Sequence, residues 1–141
     1  MKWTHSEKDL EFKRLVESCE YPIAAFNHRA HLRLAYVYLS ISDSEYSVEQ
    51  MRRALSRLLQ HNGVDPSKYH ETLTKSWIFA VYHFMNQSGS SSSADELIDA
   101  HPEMLDAEIM LSHYSAEVLF SEKARKEFVE PNLTQIPSYD R

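Results

Sequence analysis

Residues 27 to 42 read NHRAHLRLAYVYLSIS and combine a helix-capping residue, two histidines and a dense series of apolar side chains. Asn27 is a favoured N-cap, because its side-chain oxygen can accept a hydrogen bond from a free backbone N–H of the first helical turn. The apolar residues that follow recur at helical spacing over a broad surface. The segment therefore predicts a helix from Asn27 to about Ser42, largely buried among its neighbours.

The composition of the whole chain also favours helices. Among 141 residues there are only 2 glycines and 5 prolines, which leaves few residues for hairpin turns. We predict an all-α fold, a helical bundle with four main helices. The helix at Asn27 is the second of them. The first is capped by Thr4 or Ser6 and ends before Tyr21. The third is opened by a capping box of Ser47 and Gln50 and stopped by Gly63, and the fourth runs from Asp65-Pro66 to about Asn86.

The C-terminal part of the sequence predicts smaller elements. Residues 87 to 93 read QSGSSSS, a polar stretch that we expect to form a mobile loop. We then expect short helices and an extended tail in which Leu133 and Ile136 contact the bundle. The predicted short helices cover residues 94 to 100, a segment starting at Pro102, residues 115 to 120 and residues 121 to 129.

Length, charge and cysteine content limit the classes of function. A chain of 141 residues with 43% apolar residues suits a single helical domain spanning residues 1 to 141. The net charge of -6 argues against a nucleic-acid partner, because phosphate backbones require a basic surface. The lone Cys19 excludes an intramolecular disulfide and a thiolate zinc site. No leader-like or membrane-spanning apolar run is present, so we expect a cytoplasmic protein that does not bind membranes.

Three histidines fall on the apolar faces of two predicted helices. His28 and His31 are one turn apart on the second helix, and His70 lies on the apolar face of the fourth. If successive helices alternate in direction, the second and fourth helices run parallel and begin at the same end of the bundle. The sequence therefore predicts that these three imidazoles converge near the N-terminal ends of the two helices.

The leading interpretation is a metal site in a metal-binding protein or a small metal-dependent enzyme that acts on an unidentified small molecule. His28, His31 and His70 would supply three nitrogen ligands to a divalent transition metal. Glu71 would serve as a further ligand or as the general base of a reaction. The motif is weak by itself, since His-x-x-His spacing is common in a chain with 8 histidines.

Two other interpretations remain open. In the first, the site holds no metal and binds a small anion or another small molecule, with Arg29, Arg33, Thr74 and Trp77 as the predicted substrate contacts. In the second, the protein is a non-catalytic helical interaction or structural protein, for example a homodimer. Its histidines would then be buried neutral residues that hydrogen-bond within the core.

Three short motifs give the chain a wider resemblance. They read FxHxxHLxLAY at residues 26 to 36, YHET at residues 69 to 72 and ARxxFxxP at residues 124 to 131. Together they resemble a family of small all-helical bacterial proteins, over about residues 26 to 137. The resemblance implies no particular activity, but it implies that the two histidine stretches and the C-terminal segment form one unit.

Overall fold

The computed structural model describes residues 2 to 139, and the prediction of an all-α fold is confirmed. Within this range there is no β-structure apart from an isolated bridge between Trp3 and Ser91. The α-helices are α1 (Glu7–Glu17), α2 (His28–Ile41), α3 (Ser44–His61), α4 (Glu71–Ser88), α5 (Ala94–Ala100), α6 (Ala116–Leu119) and α7 (Glu122–Lys126). Short 3-10 helices cover Ile23–Ala25, Pro66–Lys68, Pro102–Leu105 and Ala107–Ser112.

Helix α2 is the central element, as its sequence predicts. It packs against α1, α3, α4 and α5, and nine of its fourteen residues are buried. Asn27 is its N-cap, with its side-chain oxygen accepting a 2.9 Å hydrogen bond from the N–H of Ala30. Every residue from Leu34 to Ser40 is buried, since a helix that is apolar around most of its circumference must be covered on several sides.

The predicted start of the third helix is wrong by one turn. Asp43, not Ser47, is the N-cap of α3, and its carboxylate accepts a 2.8 Å hydrogen bond from the N–H of Tyr46. Ser47 lies inside the helix, where it is buried and donates its hydroxyl hydrogen to the carbonyl of Asp43 at 2.8 Å. Asp43 is an equally good capping residue and comes first along the chain. The predicted stop at Gly63 is confirmed by its φ of +67°.

The predicted start of the fourth helix is also wrong. Pro66 opens only a 3-10 helix, Pro66–Lys68, after which the backbone is extended at Tyr69 and His70. His70 is the N-cap of α4, because its Nδ1 accepts a 3.1 Å hydrogen bond from the N–H of Leu73. This residue therefore stands at the start of α4, one turn earlier in the helix than the sequence predicts.

Residues 87 to 93 do not form the free loop that we predict from their composition. Helix α4 continues to Ser88, and Ser91 is only 6% exposed. The N–H of Ser91 donates to the carbonyl of Lys2 at 2.9 Å, and its own carbonyl accepts from the N–H of Thr4 at 3.0 Å. The prediction fails because Ser91 joins the N-terminal segment through backbone hydrogen bonds, which do not depend on an apolar side chain.

The predicted caps of the other helices are mostly confirmed. Ser6 caps α1, which ends earlier than predicted, at Glu17. Ser93, Ser115 and Ser121 cap α5, α6 and α7, and α7 ends at Lys126 rather than at Val129. In the tail Ile136 packs against the core, but Leu133 is 52% exposed and does not make the predicted contact. None of the described helices is long and apolar enough to cross a bilayer.

Candidate functional site

A cavity of about 600 Å³ lies at the end of the molecule where α2 and α4 begin. Its floor and sides come from α2, α3 and α4, and the C-terminal segment closes the far side with residues of Ala107–Ser112 and of α6. Most of the lining is apolar, and it comprises Ile23, Phe26, Leu55, Leu58, Leu59, Leu73, Trp77, Ala107, Leu111, Leu119 and Phe120. The polar lining residues are His28, His31, Lys68, Tyr69, His70, Thr74 and Glu108.

The structure brings five of the eight predicted site residues to this cavity. His28, His31 and His70 line it, as do Thr74 and Trp77. Helical spacing thus places His28 and His31 correctly on the inward face of α2, whereas His70 reaches the cavity as the N-cap of α4. The remaining three residues, Arg29, Arg33 and Glu71, are not part of its lining.

His28 uses one ring nitrogen to hold the C-terminal segment. Its Nε2 lies 2.9 Å from the carbonyl oxygen of Met104, so Nε2 carries the hydrogen and donates it. The imidazole also packs edge-on against the indole of Trp77, with ring centroids 4.7 Å apart. His28 therefore joins α2 to α4 and to Pro102–Leu105 at the edge of the cavity.

His70 has both ring nitrogens occupied by backbone groups. Its Nδ1 accepts the hydrogen bond that caps α4, and its Nε2 donates to the carbonyl of Leu119 at 2.8 Å. The side chain is 8% exposed, and burial lowers the pKa of its imidazole below the usual value. Thr74 also has a partner within the protein, because its hydroxyl donates a hydrogen bond to the carbonyl of His70 at 2.8 Å. Both side chains therefore have their hydrogen-bonding groups in use.

His31 differs from the other two histidines, because its Nε2 is buried and has no hydrogen-bond partner among residues 2 to 139. Burial, together with the nearby His28, lowers the pKa of its imidazole to about 4. The ring is consequently neutral at physiological pH. A buried polar atom without a partner is uncommon in a folded protein and requires an explanation. Here it belongs to a residue of the cavity wall.

Glu71 takes part in an ion pair beside the cavity. Its two carboxylate oxygens accept hydrogen bonds from the guanidinium of Arg52, at 2.9 and 2.6 Å, and one of them also accepts from the hydroxyl of Tyr69 at 2.7 Å. The hydrogen bond with Arg52 is the main reason that the pKa of Glu71 is lowered. A carboxylate held in this way is a weaker base than a free one.

The two predicted arginine contacts also have carboxylate partners elsewhere. Arg29 pairs with Asp95 at 2.9 Å on the exposed surface. Arg33 donates to the buried carboxylate of Asp9 at 2.9 Å and connects α2 to α1. Neither guanidinium supplies positive charge to the cavity wall.

The described residues do not show a ready-made metal centre. No group of three or more His, Cys, Asp or Glu side chains in this part of the chain is arranged so that it could hold a metal ion. Two of the three predicted ligands, His28 and His70, have their Nε2 atoms bonded to backbone carbonyls instead. As they are placed here, the three histidines do not fit a shared metal ion. To bind such an ion, their side chains would have to change position.

Sequence reasoning missed the wall that the C-terminal segment contributes, including Glu108, Leu119 and Phe120. Their local sequence carries no signal for a site, because they reach the cavity only through long-range packing. Tyr69 could have been found, since it directly precedes His70 in the YHET motif. Two other histidines, His61 and His83, are outside the cavity lining.

Comparisons of the chain with family models, with curated proteins and with solved structures found no match. The evidence about its function is therefore the chemistry and geometry of the cavity itself.

Proposed function

We propose that this protein binds a small, predominantly apolar molecule in the cavity between the beginnings of α2 and α4. The observation that carries the proposal is the buried Nε2 of His31, which has no partner in the described chain and belongs to the cavity wall. A bound molecule that hydrogen-bonds to this nitrogen would remove the cost of leaving it unpaired.

The size and lining of the cavity support the same proposal. Its volume of about 600 Å³ lies within the usual range of small-molecule sites, roughly 300 to 1,000 Å³. Such sites are mainly apolar and contain a few polar groups that orient the ligand. Here the side chains of His28, His70, Tyr69 and Thr74 already have partners within the protein. They shape the wall, and His31 supplies a polar atom that has no partner and that a ligand reaches only when the imidazole moves, because this atom is buried.

The proposal can be tested by blocking the cavity. Leu55 lies on its wall and is only partly buried, so Leu55→Trp should fill space in the cavity with limited damage to the core. Leu10→Trp is the matched control, because Leu10 is 43% exposed on α1, away from the cavity. Equilibrium dialysis against 1-naphthol and 1-methylnaphthalene measures how much of each compound the protein binds.

We expect the wild-type protein and Leu10→Trp to bind one equivalent of at least one compound in a saturable manner, and Leu55→Trp to lose this binding. Two results would contradict the proposal. One is equal binding by Leu55→Trp, which would place the ligand elsewhere on the protein. The other is no saturable binding of either compound by the wild type, which would favour a non-catalytic interaction protein with structural histidines.

Metal binding is a second proposal for the same cavity, supported by the position of His28, His31 and His70 on one wall and by the unpartnered Nε2 of His31. A divalent transition metal would require His28 and His70 to give up their bonds to the carbonyls of Met104 and Leu119. Such an ion would supply Lewis-acid chemistry to a small-molecule substrate, with Glu71 of the neighbouring ion pair as the candidate general base.

Elemental analysis of protein purified without a histidine tag tests this second proposal. If the cavity holds a metal, the wild type contains a stoichiometric amount of it, and His28→Ala and His70→Ala lose it. His61→Ala is the control, because His61 is exposed at the end of α3. A wild-type protein without metal, whose thermal stability does not change when divalent ions are added, would exclude metal binding.

A further inference from the structure

We infer that the ligand of this cavity is an uncharged, apolar molecule that carries a hydroxyl group, and that the hydroxyl hydrogen-bonds to Nε2 of His31. This inference rests on the proposed function, that the cavity binds a small apolar molecule, and it adds the chemical class of the ligand.

The choice of a hydroxyl follows from the chemistry of a neutral imidazole. Each ring nitrogen is either a donor, when it carries the hydrogen, or an acceptor, when it does not. A hydroxyl group can donate and accept, so it can pair with Nε2 of His31 in either tautomer. A carboxylate can only accept and an ammonium group can only donate, and each of them would pair with just one tautomer.

The charges around the cavity favour an uncharged ligand. Its lining contains one cationic side chain, Lys68, and one carboxylate, Glu108, and both residues are exposed. The guanidinium groups of Arg29, Arg33 and Arg52 are paired with carboxylates outside the lining. An ion placed against His31 would therefore lie mainly among apolar side chains, with only the exposed Lys68 or Glu108 as a counter-ion in the lining, which is unfavourable.

The aromatic side chains that line the cavity favour a ligand with a planar, apolar body. Trp77 is 3% exposed and packs against His28, while Phe26 lies near His31 with ring centroids 6.4 Å apart. Phe120 also lines the cavity and is 56% exposed, so it stands at the border between cavity and solvent. Aromatic side chains pack well against other planar rings in offset or edge-to-face arrangements.

The experiment compares two compounds of similar shape that differ in the hydroxyl group, 1-naphthol and 1-methylnaphthalene. Equilibrium dialysis gives the dissociation constant of each compound for the wild type, His31→Phe and His31→Gln. We expect the wild type to bind 1-naphthol about tenfold more tightly, since one new hydrogen bond to a buried unpaired atom is worth about that factor. The ratio should fall to about one in His31→Phe, which keeps a ring but has no polar atom.

His31→Gln should retain most of the preference, because an amide both donates and accepts. His61→Phe is the matched control on the exposed end of α3, and it should show the wild-type ratio.

The possible outcomes separate this inference from the proposed function. If the wild type binds both compounds equally well, or if His31→Phe keeps the tenfold preference, the hydroxyl assignment is overturned while the binding function stands. If the wild type binds neither compound, the proposed function fails, and the inference fails with it.

Discussion

Two ionisable side chains in this protein have polar atoms that are buried, and the surroundings of these atoms are opposite. Asp9 on α1 is 1% exposed and has three partners: the N–H of Ser6 and the N–H of Ala94, both at 3.1 Å, and the guanidinium of Arg33 at 2.9 Å. The Nε2 of His31 on α2 is equally hidden, yet it has no partner among residues 2 to 139. The partners of Asp9 come from several segments, so it serves to join them, whereas the Nε2 of His31 makes no such contact, which is why we propose it as the polar contact of a ligand.

The pKa values of the two groups express the same difference. Burial raises the pKa of Asp9, but the two backbone N–H groups and Arg33 lower it further, so that the net pKa lies below the usual value. Burial lowers the pKa of His31 to about 4, and no hydrogen bond opposes this effect. Asp9 is thus held in its charged form by its partners, while His31 is held in its neutral form by the absence of water.

The largest effect should follow from removing the carboxylate of Asp9. Asp9→Ala leaves the N–H of Ala94 and the guanidinium of Arg33 without their acceptor. Breaking a buried charged contact of this kind lowers the free energy of unfolding by about 4 kcal/mol. Urea-induced unfolding measures the change. Asp95→Ala is the control, because its pair with Arg29 is exposed and contributes about 0.5 kcal/mol or less.

A loss of less than about 1 kcal/mol in Asp9→Ala would contradict this account, since it would mean that the three contacts are no stronger than one exposed ion pair. The comparison between Asp9 and His31 would then no longer separate a structural residue from a ligand-binding one.

The next largest effect is the dependence of the free energy of unfolding on pH. His31 has a pKa of about 4 in the folded protein, below the ordinary imidazole pKa of 6.5, so the folded state resists protonation more than the unfolded state does. The stability that this difference provides is complete above pH 6.5 and is lost as the pH falls towards 4. Since one pKa unit corresponds to about 1.4 kcal/mol, the loss due to His31 is about 3 kcal/mol.

Urea unfolding of the wild type and of His31→Phe between pH 7.5 and pH 4 measures this contribution. We expect the variant to lose about 3 kcal/mol less than the wild type over that range, because phenylalanine does not titrate. His70 and His83 also have lowered pKa values and contribute in the same direction in both proteins, so the difference between the two curves reports on His31. Parallel curves would show that His31 is not buried as described.

A smaller effect is expected at neutral pH. His31→Phe should raise the free energy of unfolding by about 1 kcal/mol, because it replaces a buried unpaired polar atom by an apolar group of similar shape. Thermal unfolding at pH 7.5 measures the change, and His61→Phe on the exposed end of α3 should leave the stability unchanged. If His31→Phe is destabilised instead, its Nε2 has a partner in solution, and the case for a ligand there weakens.

The sequence predicts the parts of the fold that depend on local signals. The cap at Asn27 and the apolar residues after it define α2, and they also place His28 and His31 on its inward face. The errors occur where two local signals compete. Asp43 and Ser47 are both good caps, so the choice between them depends on tertiary packing. Asp65-Pro66 is the stronger local signal for the start of α4, yet His70 caps the helix, because its Nε2 is held by the distant carbonyl of Leu119.

The partners of the site residues are not predictable in the same way. His28 and His70 bond to the carbonyls of Met104 and Leu119, which are 76 and 49 residues further along the chain. A backbone carbonyl has no sequence signature, because every residue carries one. The sequence therefore identifies the histidines that face the cavity, whereas only the structure shows that His31 differs from the other two.

The smallest expected effect concerns Arg29, which the sequence places among the substrate contacts. It directly follows His28, which lines the cavity, yet its guanidinium pairs with Asp95 on the surface. Arg29→Gln should therefore change the free energy of unfolding by about 0.5 kcal/mol or less. The dissociation constant for 1-naphthol should change less than about twofold, because an exposed, paired charge outside the cavity lining has little influence on a neutral ligand. Unfolding curves and equilibrium dialysis measure the two quantities on one preparation. A tenfold weaker affinity for 1-naphthol in Arg29→Gln would show that the guanidinium turns from Asp95 to the bound ligand, and Arg29 would then be a ligand contact as the sequence predicts.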